Sequence, residues 1–191
     1  GQGPAGFDFG DMSGFDFGDI FEDLFNMGGR GTRVKRGRDI SVEEADDYIA
    51  AYTILNDFSA RKLNLPPERM GQPWDGFFDW LNGKWFDTFA VLGPWLTLKS
   101  EIDDPSDLDI HCTVAGNTWT AGNTRDMIFD IATTIESLSK GMTLEPGDII
   151  STGTPSGVGF ARTPPVFLKP GDKVEGDIEG IGVLEVTVAE P

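Results

Sequence analysis

The chain has 191 residues, 39% of them hydrophobic, enough to bury one good core and to form one domain with an appendage. Its 32 acidic residues against 15 basic ones give a net charge of −17, which argues against nucleic acid or an anionic membrane surface as a partner, because phosphate binding needs a positive field. A single cysteine, Cys112, excludes an intrachain disulfide, and with neither a membrane-length apolar run nor a basic, then apolar, leader pattern the cytoplasm is the expected location.

The acidic excess is that of proteins that work at high salt, where screening removes self-repulsion. The expected result is a melting temperature that rises as salt is added; no gain with salt argues against this reading.

Residues 1–29 stand apart. Phe7-Asp8-Phe9-Gly10-Asp11 recurs as Phe15-Asp16-Phe17-Gly18-Asp19, the stretch holds six acids and no base, and glycine is frequent throughout. Such a segment buries little surface per ordered residue, so disorder is expected, with a short helix over Ile20 to Phe25 as the exception. The run GFDFGDIFEDLF resembles the glycine/phenylalanine-rich segment of DnaJ-type co-chaperones over about the first 30 residues. That likeness implies a chaperone partner for residues 1–30, while co-chaperone activity is not carried over, because no J-domain with its His-Pro-Asp tripeptide is present. Arg30, Arg33, Lys35, Arg36 and Arg38 follow as a basic patch, read as a solvated linker. The low-complexity and linker region is assigned to 1–34 and the folded domain to 35–191.

Ser41-Val42-Glu43-Glu44 has the form of a capping box, predicting a helix that runs to about Ala51. A strand through Thr53 to Leu55 then delivers Asp57 at its end. Residues 62–75, with Pro66, Pro67, Gly71 and Pro73, read as a loop able to cover a pocket. Leu108, Ile110, Cys112 and Val114 alternate with Asp109, His111 and Thr113, the pattern of a half-buried strand; His111 falls on its polar face, and Cys112 reads as a small packed residue rather than a nucleophile. Met127, Ile128, Ile131, Ile135 and Leu138 recur at helical spacing and end at Gly141, predicting a core helix with a glycine C-cap. A strand is predicted over Asp148 to Ile150. Pro-Gly-Asp turns at 146–148 and 170–172 punctuate a glycine-rich β segment.

Two polar islands sit in apolar sequence, YTILNDFSAR (52–61) and GKWFDTF (83–89). Each places an ionisable group, Asp57 or Lys84, among aromatic and β-branched neighbours, where burial costs several kcal/mol unless a metal, an ion pair or an anionic ligand compensates. A third segment, Ser151 to Gly159, offers hydroxyls and three glycines that let backbone amides approach an anion. Together they point to a site for a small carboxylate-bearing, metal-chelating substrate. Two plainer readings stand beside this one: Asp57 as a cap or turn residue, and Lys84 as a surface ion-pair partner.

With NTRDMIFDIATTIESLSKGMTLEPGDIISTGTPSGVG (123–159) and FLKPGDKVEGDIEGIGVLEVTV (167–188), these islands resemble the catalytic domain of the fumarylacetoacetate hydrolase family over roughly 35–191. The resemblance implies an α+β, mainly β fold, a mixed β-roll with a few helices. It further implies a homodimer and Mg²⁺ or Mn²⁺ holding the oxygens of a 2-oxo or 1,3-dicarbonyl acid. The implied reactions are C–C bond hydrolysis, decarboxylation or isomerisation in aromatic or oxo-acid catabolism. By matching position Asp57 is the metal ligand, Lys84 the catalytic lysine, and Gly153 and Thr154 belong to a substrate-contacting loop. Arg61 either binds a substrate carboxylate or forms a structural ion pair.

The chain also departs from the family. Its relatives carry a Glu-x-Glu pair on the strand just before the position of Lys35, a spacing that sets both carboxylates on one face; here Phe25 to Val34 has no acid, and Glu22 and Asp23 are adjacent. Where Ala-Arg-Asp-x-Gln is frequent, this chain has Ala60-Arg61-Lys62-Leu63-Asn64. The expectation is that the DnaJ-like segment stands in place of the family's upstream region, by fusion or by an artefact of gene assembly, and that metal binding and catalysis are weakened. The alternative from another class is a non-catalytic scaffold that binds a partner through its tail.

Overall fold

The computed structural model describes residues 37–61 and 75–190. The Gly/Phe-rich segment, the basic patch up to Arg36, and the loop carrying Lys62 and Asn64 lie outside the described residues.

Among the described residues, six strands and two α-helices are arranged as β1 (Ala51–Asp57), α1 (Asp75–Asn82), β2 (Ala90–Leu98), β3 (Asp109–Val114), β4 (Asn117–Asn123), α2 (Ile131–Gly141), β5 (Lys173–Ile178) and β6 (Gly182–Thr187). β1 and β2 form a two-stranded sheet, and the other four strands a second in the order β4-β3-β5-β6. Every strand pair among the described residues is antiparallel, so the mixed pairing expected of the roll is not seen among them. β1 and β2 lose register between Tyr52 and Ile54. Thr53 occupies the irregularity, its hydroxyl 2.8 Å from the Trp95 carbonyl and 3.2 Å from that of Gly93.

The β3–β4 hairpin turns on Ala115 and Gly116, both at positive φ (48° and 77°), the two-residue turn whose twist matches its strands. The two Pro-Gly-Asp turns are built alike. Gly147 and Gly171 take positive φ, and Asp148 and Asp172 each accept a hydrogen bond at 2.8 Å from the backbone N–H three residues back.

Two cores form. Ile54 of β1, Ile102, Ile181 and Leu184 of β6 join the two sheets, with Tyr52, Val91, Leu108 and Ile178 packed around them. Ile40, Ala45 and Ile135 join the N-terminal segment to α2, with Ile131, Leu144 and Ile150 alongside. Ser139, 1% exposed, stitches this second core: its hydroxyl accepts from the Ile40 N–H at 2.9 Å and donates to the Glu136 carbonyl at 2.9 Å.

Four local expectations are corrected and one unforeseen helix is added. The helix after Ser41 is a turn followed by a 3-10 segment, Ala45–Tyr48, and β1 already begins at Ala51; half of the capping box forms, the Ser41 N–H donating to Glu44 at 3.3 Å. Asp75–Asn82 is helical, an amphipathic run not foreseen from its sequence. Met127 and Ile128 precede α2 and do not belong to its core face; Ile128 is 91% exposed. Gly141 is the last helical residue, and the cap position belongs to Met142 in extended geometry. Finally, Asp148 to Ile150 is not a strand, because no neighbouring strand takes up its backbone groups among the described residues.

Asp130 caps α2, accepting from the Thr133 N–H at 2.7 Å. That amide, and next the Thr133 hydroxyl, hold its carboxyl below the usual carboxylate value. A depressed folded-state pKa means the contribution is present above the unfolded value, near about 3.9, and is lost as pH falls through the lower folded one. Asp130→Ala is therefore expected to lower the melting temperature by a few degrees at neutral pH, with the gap from wild type closing in acid; scanning calorimetry at both pH values checks it.

Candidate functional site

β1 ends at Asp57, and the chain then runs through Ser59 to Ala60, whose N–H donates to the Gly83 carbonyl at 2.9 Å. Gly83 closes α1 by donating to the Asp79 carbonyl at 3.1 Å. A Cβ on Gly83 would lie 2.2 Å from the Ala60 carbonyl oxygen, so the two backbones approach as closely as only glycine allows. This contact brings Lys84 to Asp57. The Lys84 ammonium forms an ion pair with Asp57 Oδ2, lies 3.1 Å from Ser59 Oγ and sits 5.2 Å above the Trp80 ring. The side chains of Lys84 and Asp57 are 20% and 40% exposed, so the pair is half-sheltered and its strength is that of a partly screened contact.

Asp57, Arg61, Thr88, Gly153, Thr154 and Phe160 all line one open cleft of about 2040 Å³ between the two sheets. Lys84 is not on its wall and reaches it through Asp57. The cleft is larger than the ~300–1,000 Å³ of a usual small-molecule pocket, and these residues share its wall. Arg61 lies 5.2 Å over the Phe160 ring and meets no carboxylate among the described residues, unlike Arg38, Lys99, Arg125 and Lys173, each of which is paired with an acid. Of its two readings, the structural ion pair finds no acid among the described residues. Gly153 has φ +110° and open space where a Cβ would stand.

His111 is exposed on β3 and lines the same cleft, and burial pushes the Cys112 thiol up, away from the thiolate a nucleophile needs. Sequence reasoning passed over three contributors. Ser59 and Trp80 flank the lysine but carry no charge to flag them. Thr88 holds φ +69°, a left-handed conformation rare for a β-branched residue, in the turn that leads from Lys84 to β2.

A divalent cation is not accommodated by the described residues. Among them no three His, Cys, Asp or Glu side chains are grouped to hold a metal, and Asp57, the carboxylate at the end of β1, is paired with Lys84. The neighbouring Asn56 Nδ2, buried and without a hydrogen-bond partner among the described residues, is a donor and suits an acceptor oxygen rather than a cation. On the cleft wall Arg61 supplies a cation and the Asn56 amide a donor, among carboxylates that include Asp57, Asp87 and Asp177.

Comparison with known proteins agrees with the layout. The family described as Fumarylacetoacetate (FAA) hydrolase C-terminal matches residues 32–189. A fumarylacetoacetate hydrolase from the psychrophile Exiguobacterium antarcticum superposes with a TM-score of 0.72 at 37% identity, over 81% of this chain and 52% of the other. Maleylpyruvate hydrolase from Sphingobium sp. SYK-6, in complex with manganese(II) and pyruvate, gives 0.65 at 34% identity, over 81% and 50%. The 5-carboxymethyl-2-hydroxymuconate delta-isomerase of Mycobacterium smegmatis gives 0.66 at 37% identity, over 81% and 54%. The chain spans about half the length of the curated relatives it matches.

Proposed function

This chain belongs to the fumarylacetoacetate hydrolase C-terminal family, and from that membership we propose that it binds a small 2-oxo or 1,3-dicarbonyl carboxylic acid in the cleft beside Asp57 and Lys84. The observation that carries the reading is the Asp57–Lys84 pair, set at the end of β1 with the Gly153-Thr154 loop on the same cleft. The pyruvate held by the Sphingobium hydrolase is a 2-oxo acid and supports this ligand class.

Hydrolysis of a C–C bond next to a carbonyl, decarboxylation of an oxo-acid and tautomerisation of a dienol acid all place negative charge on a carbonyl oxygen in the transition state. Positive charge and amide donors fixed around that oxygen stabilise it more than they stabilise the ground state. In the proposed roles Lys84, which rests behind Asp57 and beside Ser59 off the cleft wall, turns its ammonium from Asp57 to the developing oxyanion when the acid enters. Arg61, stacked on Phe160 and paired with no acid among the described residues, takes the carboxylate, and the amides of Gly153 and Thr154 hold the acid within the cleft.

Mg²⁺ or Mn²⁺ would ordinarily be expected to share this work. Asp57, paired with Lys84 and grouped with no two further ligand side chains among the described residues, is a poor ligand set, and Phe25 to Val34 supplies no acid of the Glu-x-Glu kind. The proposal is therefore an enzyme domain that retains its acid-binding groups, with weak metal affinity and impaired turnover.

Calorimetric titration of the intact chain tests it, with oxalate serving as an enolate mimic. Oxalate is expected to bind in the millimolar range, while Mn²⁺ alone gives no saturable heat. No oxalate binding, with or without Mn²⁺, removes the functional reading and leaves the fold assignment standing.

A further inference from the structure

Among the described residues the loop from Ile149 to Val158 has no ladder to hold it, and none of its backbone N–H groups donates a hydrogen bond there. A loop so unsupported would sample many conformations unless other contacts fixed it. The contacts that do so meet at Trp119 of β4. Gly157, at φ +114°, passes so near that a Cβ would lie 2.2 Å from the Trp119 carbonyl oxygen. Gly159 passes so near that one would lie 2.5 Å from the Trp119 ring and 2.2 Å from the Val166 carbonyl. Pro155 packs on Gly122 of the same strand.

Arg162 closes the assembly. The 3-10 turn Gly159–Ala161 presents it beneath the loop. Its Nε donates to the Gly157 carbonyl at 3.1 Å, its Nη2 donates to the Trp119 carbonyl at 2.7 Å, and its guanidinium lies 5.1 Å over the Trp119 ring. In a chain of net charge −17, this cation meets no carboxylate among the described residues and spends its donors on two carbonyls that belong to different segments.

We propose that Arg162 is a positioning residue: it clips the Ser151–Gly159 loop to β4 and so fixes where Gly153 and Thr154 stand on the cleft, without touching the ligand itself. The planar fork matters here, because one group spans both carbonyls while its face covers the indole; lysine reaches only one of them. The link from loop geometry to acid binding rests on the function proposed above, whereas the clip itself does not.

The test is ¹⁵N relaxation of the full chain, wild type against Arg162→Met, together with oxalate titration of both. Wild-type amides of Gly153 and Gly157 are expected to have order parameters near about 0.85, falling below about 0.6 in the variant, while β3 and β5 keep theirs. Oxalate affinity is expected to fall at least tenfold. Unchanged order parameters at Gly153 and Gly157 overturn the proposal, and lost affinity with an unchanged loop makes Arg162 a direct ligand contact instead, which also overturns it. A loosened loop with unaltered oxalate binding, or with no binding in the wild type, supports the clip and refutes the ligand role of the loop. Should Arg162→Met not fold, Arg162→Lys, which keeps the charge and one donor, is read the same way and is expected to loosen the loop by a smaller amount.

Discussion

Gly83→Ala is expected to destabilise the protein by about 2–3 kcal/mol and to abolish acid binding together with it. The new methyl group would stand 2.2 Å from the Ala60 carbonyl oxygen, against backbone rather than a side chain that could swing away, and overpacking of that kind costs roughly 1–3 kcal/mol. Relief requires α1 and the end of β1 to separate. That breaks the Ala60-to-Gly83 hydrogen bond and draws Lys84 away from Asp57. Urea unfolding followed by tryptophan fluorescence measures the first effect and oxalate titration the second. A variant as stable as wild type with intact oxalate binding contradicts the close approach on which the position of Lys84 depends.

Lys84→Met should separate stability from binding. The pair it removes is partly exposed, so unfolding is expected to shift by about 1 kcal/mol or less. The ligand effect is larger, because a charge-assisted hydrogen bond to an anion contributes about 1.5–3 kcal/mol, equivalent to roughly a ten- to hundredfold loss in oxalate affinity. Methionine keeps the length and apolar stem that rest near Trp80, so packing changes little. Equal oxalate affinity in the two proteins would return Lys84 to the plainer role of an ion-pair partner for Asp57.

Local chemistry decided which parts of this molecule could be read from its residues. Alternation exposed β3, with Leu108 and Val114 inward and His111 outward, and the two Pro-Gly-Asp turns stand where glycine had to supply positive φ. The end of β1 was legible because an acid interrupts an apolar run at Asp57. Periodicity overshot at α2: Met127 and Ile128 keep helical spacing, but Asp130 is the side chain that caps Thr133, and the helix starts only after it. Asp148 to Ile150 has strand-like composition, yet a strand exists only where a neighbour accepts its hydrogen bonds, and that depends on residues far away in sequence. The same is true of the site. Asp57, Lys84 and Thr154 announce themselves by charge or by motif, whereas the Gly83–Ala60 contact and the Arg162 clip are tertiary facts, with no local pattern to reveal them.

The Glu-x-Glu departure, by contrast, is visible only in sequence. Under the proposed function it separates binding from turnover: Lys84, Arg61 and the loop would hold an acid through charge and donors, while the stabilisation a well-ligated cation adds would need carboxylates that Phe25 to Val34 does not provide.

The central claim is that Asp57, Lys84 and the Gly153-Thr154 loop attend one ligand. Amide chemical-shift mapping during an oxalate titration of the intact chain tests it most directly. The account predicts that signals of Asp57, Lys84, Gly153 and Thr154 move together with a single affinity while those of the β3–β4 turn at Ala115 and Gly116 stay still. Shifts confined to one side of the cleft, or different affinities on its two sides, would contradict it.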